Sequence, residues 1–211
     1  MRASLDRVCI VMMSAVGDAV HVLPVLTALR RHRPESRVTW ILQPGPATLV
    51  RGHPDIGEIL LFERSNGWRG FNDLRRELAT RRFDLALALQ VYLKAGMITR
   101  MVHAPVKLGF DMARARDLNW VFTNAQVPAR PMQHVQDQYL EFLDALGVPH
   151  GPPVWNLGPW PHELGQQRER LRLFDRPIAP IVVATSKAQK DWPPERWAAV
   201  CDSLHADFGL Q

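Results

Sequence analysis

The chain alternates short apolar runs with amphipathic segments, and this alternation limits its fold more than any other feature of the sequence. The first run, Arg7–Met13, is continuous and rich in β-branched residues. The segment Ala19–Arg31 then places apolar residues such as Leu26 and Leu29 at helical spacing. A continuous run is typical of a strand buried on both faces of a parallel sheet, and helical spacing is typical of a helix that covers such a sheet. The pattern therefore predicts βαβ units and an α/β fold with a mostly parallel sheet.

The same alternation continues through the first two thirds of the chain. In chain order it predicts strands at Arg37–Leu42 and Glu58–Phe62, a helix at Phe71–Arg81, a strand at Phe83–Leu89, a helix at Lys94–Val102, a strand at Val106–Phe110 and a helix at Val135–Leu146. Pro24 is expected near the first turn of its helix, because the missing proline N–H is tolerated there.

A stretch rich in glycine and proline, residues 147–161, separates two parts of the sequence. Such stretches connect domains, so we expect a first domain over residues 1–160. Beyond it the patterns predict a helix at His162–Phe174, a strand at Pro180–Thr185 and a helix at Pro194–Phe208. One strand and two helices cannot enclose a core, so residues 175–211 are expected to be the beginning of a second, truncated domain.

Composition excludes several classes of protein. Hydrophobic residues make up 46% of the chain and charged residues 22%, which are values of a globular protein. The only two cysteines, Cys9 and Cys201, exclude a disulfide scaffold or a multi-cysteine zinc module and fit a reducing cytoplasm. Asp18 and His21 interrupt the first apolar run before the roughly 20 apolar residues that a membrane-spanning helix needs. No signal peptide is expected.

Positive charge is concentrated between Arg64 and Arg82, where six arginines accompany two carboxylates. Such a segment attracts nucleic acid, an anionic membrane surface, or a phosphorylated or carboxylated substrate. A solvated helix face is the simpler interpretation of the arginines taken alone. Because no nucleic-acid-binding module is recognisable, we predict no nucleic-acid partner.

The first of two candidate loops, Ser14–His21, follows the first predicted strand. Gly17 suits a tight turn or a close backbone approach, and Asp18 lies at a helix N-terminus. Helix capping alone would account for the aspartate. The loop lacks the three-glycine dinucleotide fingerprint and the Lys-Ser/Thr pair of a phosphate-binding loop, which disfavours NAD and P-loop nucleotide sites.

The second candidate loop, Val183–Trp192, lies between a predicted strand and a predicted helix. It holds the hydroxyls of Thr185 and Ser186 and the ammonium group of Lys190, which suit a diphosphate. An ordinary connecting loop would explain it equally well on its own. The scattered histidines and the lack of an Asp-x-Asp sequence predict no metal site.

Together these segments resemble the lipopolysaccharide heptosyltransferases, glycosyltransferase family 9. The resemblance rests on Ser14-Ala-Val-Gly-Asp-Ala-Val-His-Val-Leu-Pro24 paired with Lys190-Asp-Trp-Pro-Pro-Glu-Arg-Trp197, and on matches at Phe83–Gln90, Lys107–Asp111 and His134. It implies a GT-B fold, in which an N-terminal Rossmann-like domain holds the acceptor and a C-terminal one holds the nucleotide-sugar. It also implies cytoplasmic transfer of heptose from ADP-heptose to the lipopolysaccharide inner core, without a cofactor or an obligatory metal.

The resemblance assigns acceptor-side roles to residues of the first domain. Asp18 matches the catalytic aspartate, whose carboxylate can accept the proton of the attacking acceptor hydroxyl. Direct displacement by that hydroxyl would invert the anomeric configuration. Arg116 and Lys94 match acceptor-binding positions, and Ser14 and Gly17 are expected to bind the acceptor with them.

The donor-side roles fall on the second candidate loop. Thr185, Ser186 and Lys190 match donor-phosphate positions, where Lys190 would neutralise charge on the departing ADP. The Asp-Thr-Gly-x-x-His donor motif of the family does not occur in the sequence. The 211-residue chain is therefore expected to be a fragment with little or no transferase activity of its own.

Two other functions are compatible with the same residues. One is a non-catalytic half-domain that binds anionic glycolipid. The other is a nucleotide-dependent oxidoreductase, which the missing glycine fingerprint disfavours. Whichever function applies, transferase included, the basic segment between Arg64 and Arg82 predicts peripheral attraction to the anionic inner face of the inner membrane.

Overall fold

A parallel six-stranded sheet organises the first part of the chain. The computed structural model describes residues 3–183 and 188–211, and the chain divides into two compact units between Gly158 and Pro159. The strands are β1 (Arg7–Val11), β2 (Arg37–Leu42), β3 (Glu58–Leu61), β4 (Leu85–Ala88), β5 (Val106–Gly109) and β6 (Ala125–Gln126). Every neighbouring pair is parallel, so the predicted α/β class with a parallel sheet is confirmed.

The strand order is β3-β2-β1-β4-β5-β6, which is the doubly wound Rossmann arrangement. From β1 the chain adds β2 and β3 on one side of the sheet and then β4, β5 and β6 on the other, so the order of the strands reverses between β1 and β4. Val8 of β1 pairs with Val38 of β2 on one side and with Leu85 of β4 on the other. In such sheets ligands bind outside the carboxyl ends of the strands at this switch point. The residues that follow Val11 and Ala88 are therefore the first place to look for a site.

Helices cover both faces of the sheet. They are α1 (Val16–His32), α2 (Pro44–Val50), α3 (Trp68–Ala79), α4 (Leu93–Met101) and α5 (Val135–Leu146), followed in the second unit by α6 (Pro161–Leu171) and α7 (Pro194–Phe208). Val8 and Ile10 of β1 pack with residues of α1, α2 and α5, whereas Cys9 and Val11 pack with residues of α3 and α4. Both faces of β1 are buried, which explains why its sequence is continuously apolar.

Three local predictions are wrong. Pro24 lies in the interior of α1, because the helix begins at Val16, well before the predicted start. The two-residue strand β6 has no counterpart among the predicted elements, because so short a strand carries no periodic pattern. The strand predicted at Pro180–Thr185 is not formed over residues 180–183, where Val182 is 83% exposed and the described residues offer no neighbouring strand.

The second unit, from Pro159 onward, contains little buried surface in its described residues. Trp160 is buried, whereas α7 contributes no buried side chain. No strand occurs in residues 159–183 or 188–211. Among all the described residues, no helix combines the length and the apolar character required to cross a bilayer.

Candidate functional site

A cleft of about 880 Å³ opens at the carboxyl edge of the sheet, at the switch point. Its walls are built mainly from the segments that follow β1, β4 and β5, together with side chains of α5. The volume is in the range of pockets that bind small molecules. Four of the residues singled out from the sequence line this cleft, namely Ser14, Asp18, Lys94 and Arg116.

The loop after β1 is held in place by Gln90, which follows β4. The Gln90 side-chain oxygen accepts a hydrogen bond from the Met13 backbone N–H at 3.2 Å. The Gln90 side-chain nitrogen donates to the Ser14 carbonyl oxygen at 2.8 Å. From the other side, the Trp40 indole N–H donates to the Met12 carbonyl at 3.0 Å. The approach of α1 to the cleft is thus fixed by two neighbouring strands.

Asp18 is half-buried and lies in the first turn of α1, three residues after the helix N-cap, Ala15. Its Oδ2 accepts a hydrogen bond from the Ala15 backbone N–H at 2.8 Å. The carboxylate therefore caps the helix from the third helical position rather than from the N-cap itself. An ionised carboxylate has about four acceptor sites, so this single bond leaves capacity for a ligand.

Gly17 does not form the tight turn that a glycine at this position suggested. It is a helical residue of α1, and a Cβ added there would meet no atom within 4 Å. The interpretation of Gly17 as a tight-turn residue is therefore wrong. The residue does not belong to the cleft wall, so its predicted contact with an acceptor stays a prediction.

Lys94 and Arg116 bring unneutralised positive charge to the cleft from two neighbouring strand ends. Both side chains are exposed, and within the described residues neither forms an ion pair. The Arg116 guanidinium lies over the Tyr92 ring, 5.9 Å from its centroid. The Arg116 backbone N–H donates to the Val91 carbonyl at 2.9 Å. These contacts keep the two cations at one end of α4.

A short 3₁₀ helix, Asn119–Phe122, holds the Arg116 segment against α4. The Asn119 side-chain N–H donates to the Tyr92 carbonyl at 2.8 Å. Gly96 allows the close approach, because a Cβ at this position would lie 2.3 Å from the Phe122 ring. The close packing of α4 against this helix therefore determines where Arg116 enters the cleft.

Arg114 also lines the cleft, but its charge is already neutralised. Its Nε lies 2.5 Å from Asp111 Oδ2, and a terminal guanidinium nitrogen lies 2.7 Å from Glu141 Oε2. All three side chains are largely buried. Burial disfavours the charged form of Asp111, and it is the largest single influence on the pKa of this carboxyl group. The hydrogen bonds from Arg114 and the Ala113 N–H together outweigh burial, so the pKa of Asp111 is lowered.

The basic segment between Arg64 and Arg82 does not act as one patch. Arg76 forms an ion pair with Asp73, and Arg81 forms one with Glu58. Only Arg64 of this segment lines the cleft, where it is exposed and forms no ion pair with a described residue. The sequence offered no means of selecting Arg64, because its proximity to Lys94 and Arg116 arises only when the strand ends converge.

The two histidines of the resemblance join α1 to α5. The Gln136 side-chain N–H donates to the His21 carbonyl at 2.9 Å, and the Gln136 side-chain oxygen lies 3.2 Å from His21 Nδ1. The His21 and His134 rings meet edge to face, with centroids 5.4 Å apart. Neither ring belongs to the cleft wall. Their contacts hold the first turn of α5 against α1.

The predicted donor-side residues belong to the sequence beyond the first unit. Thr185 and Ser186 lie outside the described residues. Lys190 ends a short exposed 3₁₀ helix, Ala188–Lys190, in the second unit. Within residues 3–183 and 188–211, no three His, Cys, Asp or Glu side chains are grouped so that they could hold a metal ion.

Comparison with known proteins identifies the family. The sequence model of glycosyltransferase family 9 (heptosyltransferase) matches residues 71–211. Lipopolysaccharide core heptosyltransferase OpsX of Haemophilus influenzae is 30% identical over 197 residues, which cover 93% of this chain and 56% of OpsX. Lipopolysaccharide heptosyltransferase 1 of Pseudomonas aeruginosa is 28% identical over 215 residues, covering 94% and 58% of the two chains. The chain thus spans less than two thirds of the length of these relatives.

Solved structures agree in fold. The Escherichia coli heptosyltransferase WaaC with ADP has a TM-score of 0.80 at 27% identity, with 97% of this chain and 65% of that chain covered. A glycosyl transferase of family 9 from Veillonella parvula has a TM-score of 0.82 at 22% identity, covering 100% and 63%, and supports the fold alone. The expected GT-B class and the resemblance stated from the sequence are both confirmed. The chain belongs to glycosyltransferase family 9, the heptosyltransferase family.

Proposed function

We propose that the cleft of the first unit binds the acceptor in a reaction that transfers heptose from ADP-heptose to the lipopolysaccharide inner core. The observation that carries this proposal is the group of unneutralised cations, Arg64, Lys94 and Arg116, in the same cleft as Asp18. Inner-core acids carry carboxylates and phosphates, which such cations attract. Ser14 completes the wall beside Asp18, and Gly17 lies one residue before the aspartate.

In the proposed reaction, Asp18 is the general base. As the acceptor hydroxyl oxygen attacks the anomeric carbon of the heptose, its proton passes to the Asp18 carboxylate. The new carbon–oxygen bond forms while the bond from the anomeric carbon to ADP breaks, and ADP leaves with the electron pair. Direct displacement of this kind inverts the anomeric configuration. No metal is required by this scheme, so transfer is expected to persist in EDTA.

The donor would be held by the second unit. We propose that residues 175–211 belong to the nucleotide-sugar-binding domain, and that Thr185, Ser186 and Lys190 contact the donor phosphates. The support is the resemblance of the Lys190–Trp197 segment and the bound molecules named for two WaaC structures, ADP and ADP-2-deoxy-2-fluoro heptose. Lys190 would neutralise charge that develops on the departing ADP.

The polypeptide of residues 1–211, tested by itself, is expected to bind acceptor without transferring heptose. The described residues of its second unit form no sheet and bury little apolar surface. In a Rossmann-like domain the ligand binds outside the carboxyl ends of the strands, so a donor site of this kind needs a sheet. The assay is release of ADP from ADP-heptose by the purified chain. Robust turnover would contradict this part of the proposal.

The catalytic role of Asp18 can be tested in a fusion that appends the unmatched C-terminal part of OpsX to this chain. Asp18→Asn is expected to lower the transfer rate by about 10²–10⁴ while acceptor affinity changes little, because the amide still accepts the capping bond but cannot take a proton. Asp117→Asn is the matched control, since Asp117 lines the same cleft at a φ of 50°, which asparagine tolerates.

The alternative, a non-catalytic domain that binds anionic glycolipid, predicts another outcome. In that case the wild-type fusion transfers no heptose although it binds acceptor, and Asp18→Asn leaves binding unchanged. Equal transfer by the Asp18→Asn and Asp117→Asn fusions would remove Asp18 from the mechanism while leaving a transferase.

We also propose that the protein works in the cytoplasm, peripherally attached to the inner face of the inner membrane. Trp68, at the start of α3, is 74% exposed, and Arg69 and Arg75 on the same helix are exposed without an ion pair to any described residue. Exposed tryptophan and arginine suit a bilayer interface that carries anionic lipid.

The membrane proposal is tested by co-sedimentation with phosphatidylcholine vesicles that contain or lack phosphatidylglycerol. Binding is expected only to the anionic vesicles and is expected to weaken at high salt. Replacing Arg69 and Arg75 by glutamate should abolish it, whereas Arg76→Glu, which removes an arginine already paired with Asp73, should reduce it less. Failure of the wild-type chain to bind anionic vesicles at low salt would contradict the proposal.

A further inference from the structure

Tyr139 lines the same cleft from α5 and has no role in the scheme above. Its side chain is only 5% exposed. The ring packs near Phe110, with centroids 6.3 Å apart, and Phe110 in turn meets Phe142 edge to face at 4.9 Å. These aromatic contacts hold the Tyr139 ring in one orientation in the cleft wall.

Within the described part of the chain the Tyr139 hydroxyl makes no hydrogen bond, although the residue is only 5% exposed and meets open space only where it lines the cleft. Buried tyrosine hydroxyls normally have a partner, because an unpaired polar group inside a protein is unfavourable. Because Tyr139 lines the cleft, the partners open to its hydroxyl are the molecules that fill the cleft, whether water or a ligand. Tyr92, by contrast, lines the cleft with its side chain 48% exposed, so its hydroxyl carries no such burial cost.

The electrostatic surroundings keep the Tyr139 hydroxyl in its neutral form. Burial raises the pKa of this phenol most strongly, and the negative charge of Asp18 raises it further. Asp18 and Tyr139 both line the cleft. The wall of one cleft therefore presents an O–H donor and a carboxylate acceptor, with no hydrogen bond between them.

We propose that the Tyr139 hydroxyl hydrogen-bonds a sugar hydroxyl of the acceptor next to the one that Asp18 deprotonates. This inference rests on the proposed function of the cleft. The cations Arg64, Lys94 and Arg116 would bind the acidic groups of the acceptor, while Tyr139 would orient its neutral polyol part. Tyr139 is thus a specificity-determining residue for a hydroxylated, and not merely anionic, ligand.

The test compares Tyr139→Phe with the wild type in the 211-residue chain, using deacylated, heptose-free lipopolysaccharide inner core as the probe in calorimetry. Tyr139→Phe is expected to weaken binding by roughly 2- to 12-fold, the effect of one lost hydrogen bond. The melting temperature of Tyr139→Phe should stay near that of the wild type, because the ring packing is retained.

Two unfavourable outcomes are distinguishable. If the wild-type chain does not bind the probe, the proposed acceptor cleft fails and this inference fails with it. If the wild type binds and Tyr139→Phe binds equally well, only the role of Tyr139 is overturned.

A spectroscopic measurement keeps the inference testable if Tyr139→Phe folds poorly. The chain has two tyrosines, so ¹³Cζ-tyrosine labelling gives two signals that Tyr92→Phe assigns. The Tyr139 signal is expected to move when the probe saturates the wild-type chain, because the phenol gains a hydrogen-bond partner. A Tyr139 signal that stays in place at saturation would overturn the inference.

Discussion

Arg114 and Arg116 stand two positions apart in the sequence and face different surroundings. Arg114 is enclosed with the carboxylates of Asp111 and Glu141, whereas Arg116 extends from Tyr92 into the open cleft. The resemblance stated from the sequence singled out Arg116. No local pattern could reveal the role of Arg114, because Glu141 reaches it from α5, a distant helix.

The buried ion-pair cluster predicts a large stability effect. Arg114→Met should lower the free energy of unfolding by about 3–5 kcal/mol, because it leaves two largely buried carboxylates without their partner. Arg116→Ala, the control, should change it by less than about 0.5 kcal/mol, as expected for an exposed side chain. Urea unfolding measures both. An equal loss of unfolding free energy in the two variants would show that Arg114 is not part of a buried ion-pair cluster.

Acid should weaken the same cluster. The pKa of Asp111 is lower in the folded chain than its ordinary value near 4, so the unfolded chain binds the proton first as pH falls. The stability contributed by Asp111 is present above about pH 4 and is lost as pH drops through the lowered folded value. In unfolding experiments below about pH 5, Asp111→Asn should therefore show a weaker dependence on pH than the wild type. If the free energies of unfolding of the wild type and Asp111→Asn fell in parallel with pH, Asp111 would not contribute to the loss of stability in acid.

The two cysteines should differ sharply in reactivity. Cys9 is fully buried in β1, and burial raises the pKa of its thiol, whereas Cys201 on α7 is exposed. Because the thiolate is the reactive form, iodoacetamide should modify Cys201 alone in the native chain and both residues in urea. Mass spectrometry of tryptic peptides reads out the sites. Native modification of Cys9 would show that the central strand is not enclosed as described.

At the level of elements, the contact of α4 with the 3₁₀ helix Asn119–Phe122 holds the Arg116 segment beside the cleft. Gly96→Ala should lower the free energy of unfolding by about 1–3 kcal/mol, because the new methyl group overlaps the Phe122 ring. It should also weaken acceptor binding, since Arg116 is displaced. Gly45→Ala in α2 is the control, because its Cβ would meet no neighbour within 4 Å. Thermal melts and calorimetry would show whether the two substitutions differ.

Elements with a clear apolar run or a helical period could be predicted almost to the residue, as β2, α5 and α7 show. Elements that form only next to a partner strand could not be predicted from the sequence. The strand β6 exists only because β5 offers an edge, and the strand expected at Pro180–Thr185 has no partner strand among the described residues. Pro24 was misplaced because α1 begins three residues before the predicted start at Ala19, in a segment that was interpreted as a turn.

At the scale of the whole molecule, the site follows from topology. The order of the strands brings the loops after β1, β4 and β5 to one edge, and this places Asp18, Lys94 and Arg116 around a common cleft. The sequence could name these three residues through the family resemblance. It could not name Arg64 or Tyr139, which reach the cleft only after β3 and α5 have packed onto the sheet.

The central claim is that this cleft binds an anionic, hydroxylated acceptor, and an amide NMR titration of the 211-residue chain with deacylated, heptose-free inner core tests it most directly. We predict saturable shifts for the residues that line the cleft, including Ser14, Asp18, Lys94, Arg116 and Tyr139. Arg116→Glu should weaken the binding several-fold without altering the remaining spectrum. Shifts confined to other surfaces, or none at saturating probe, would contradict the account.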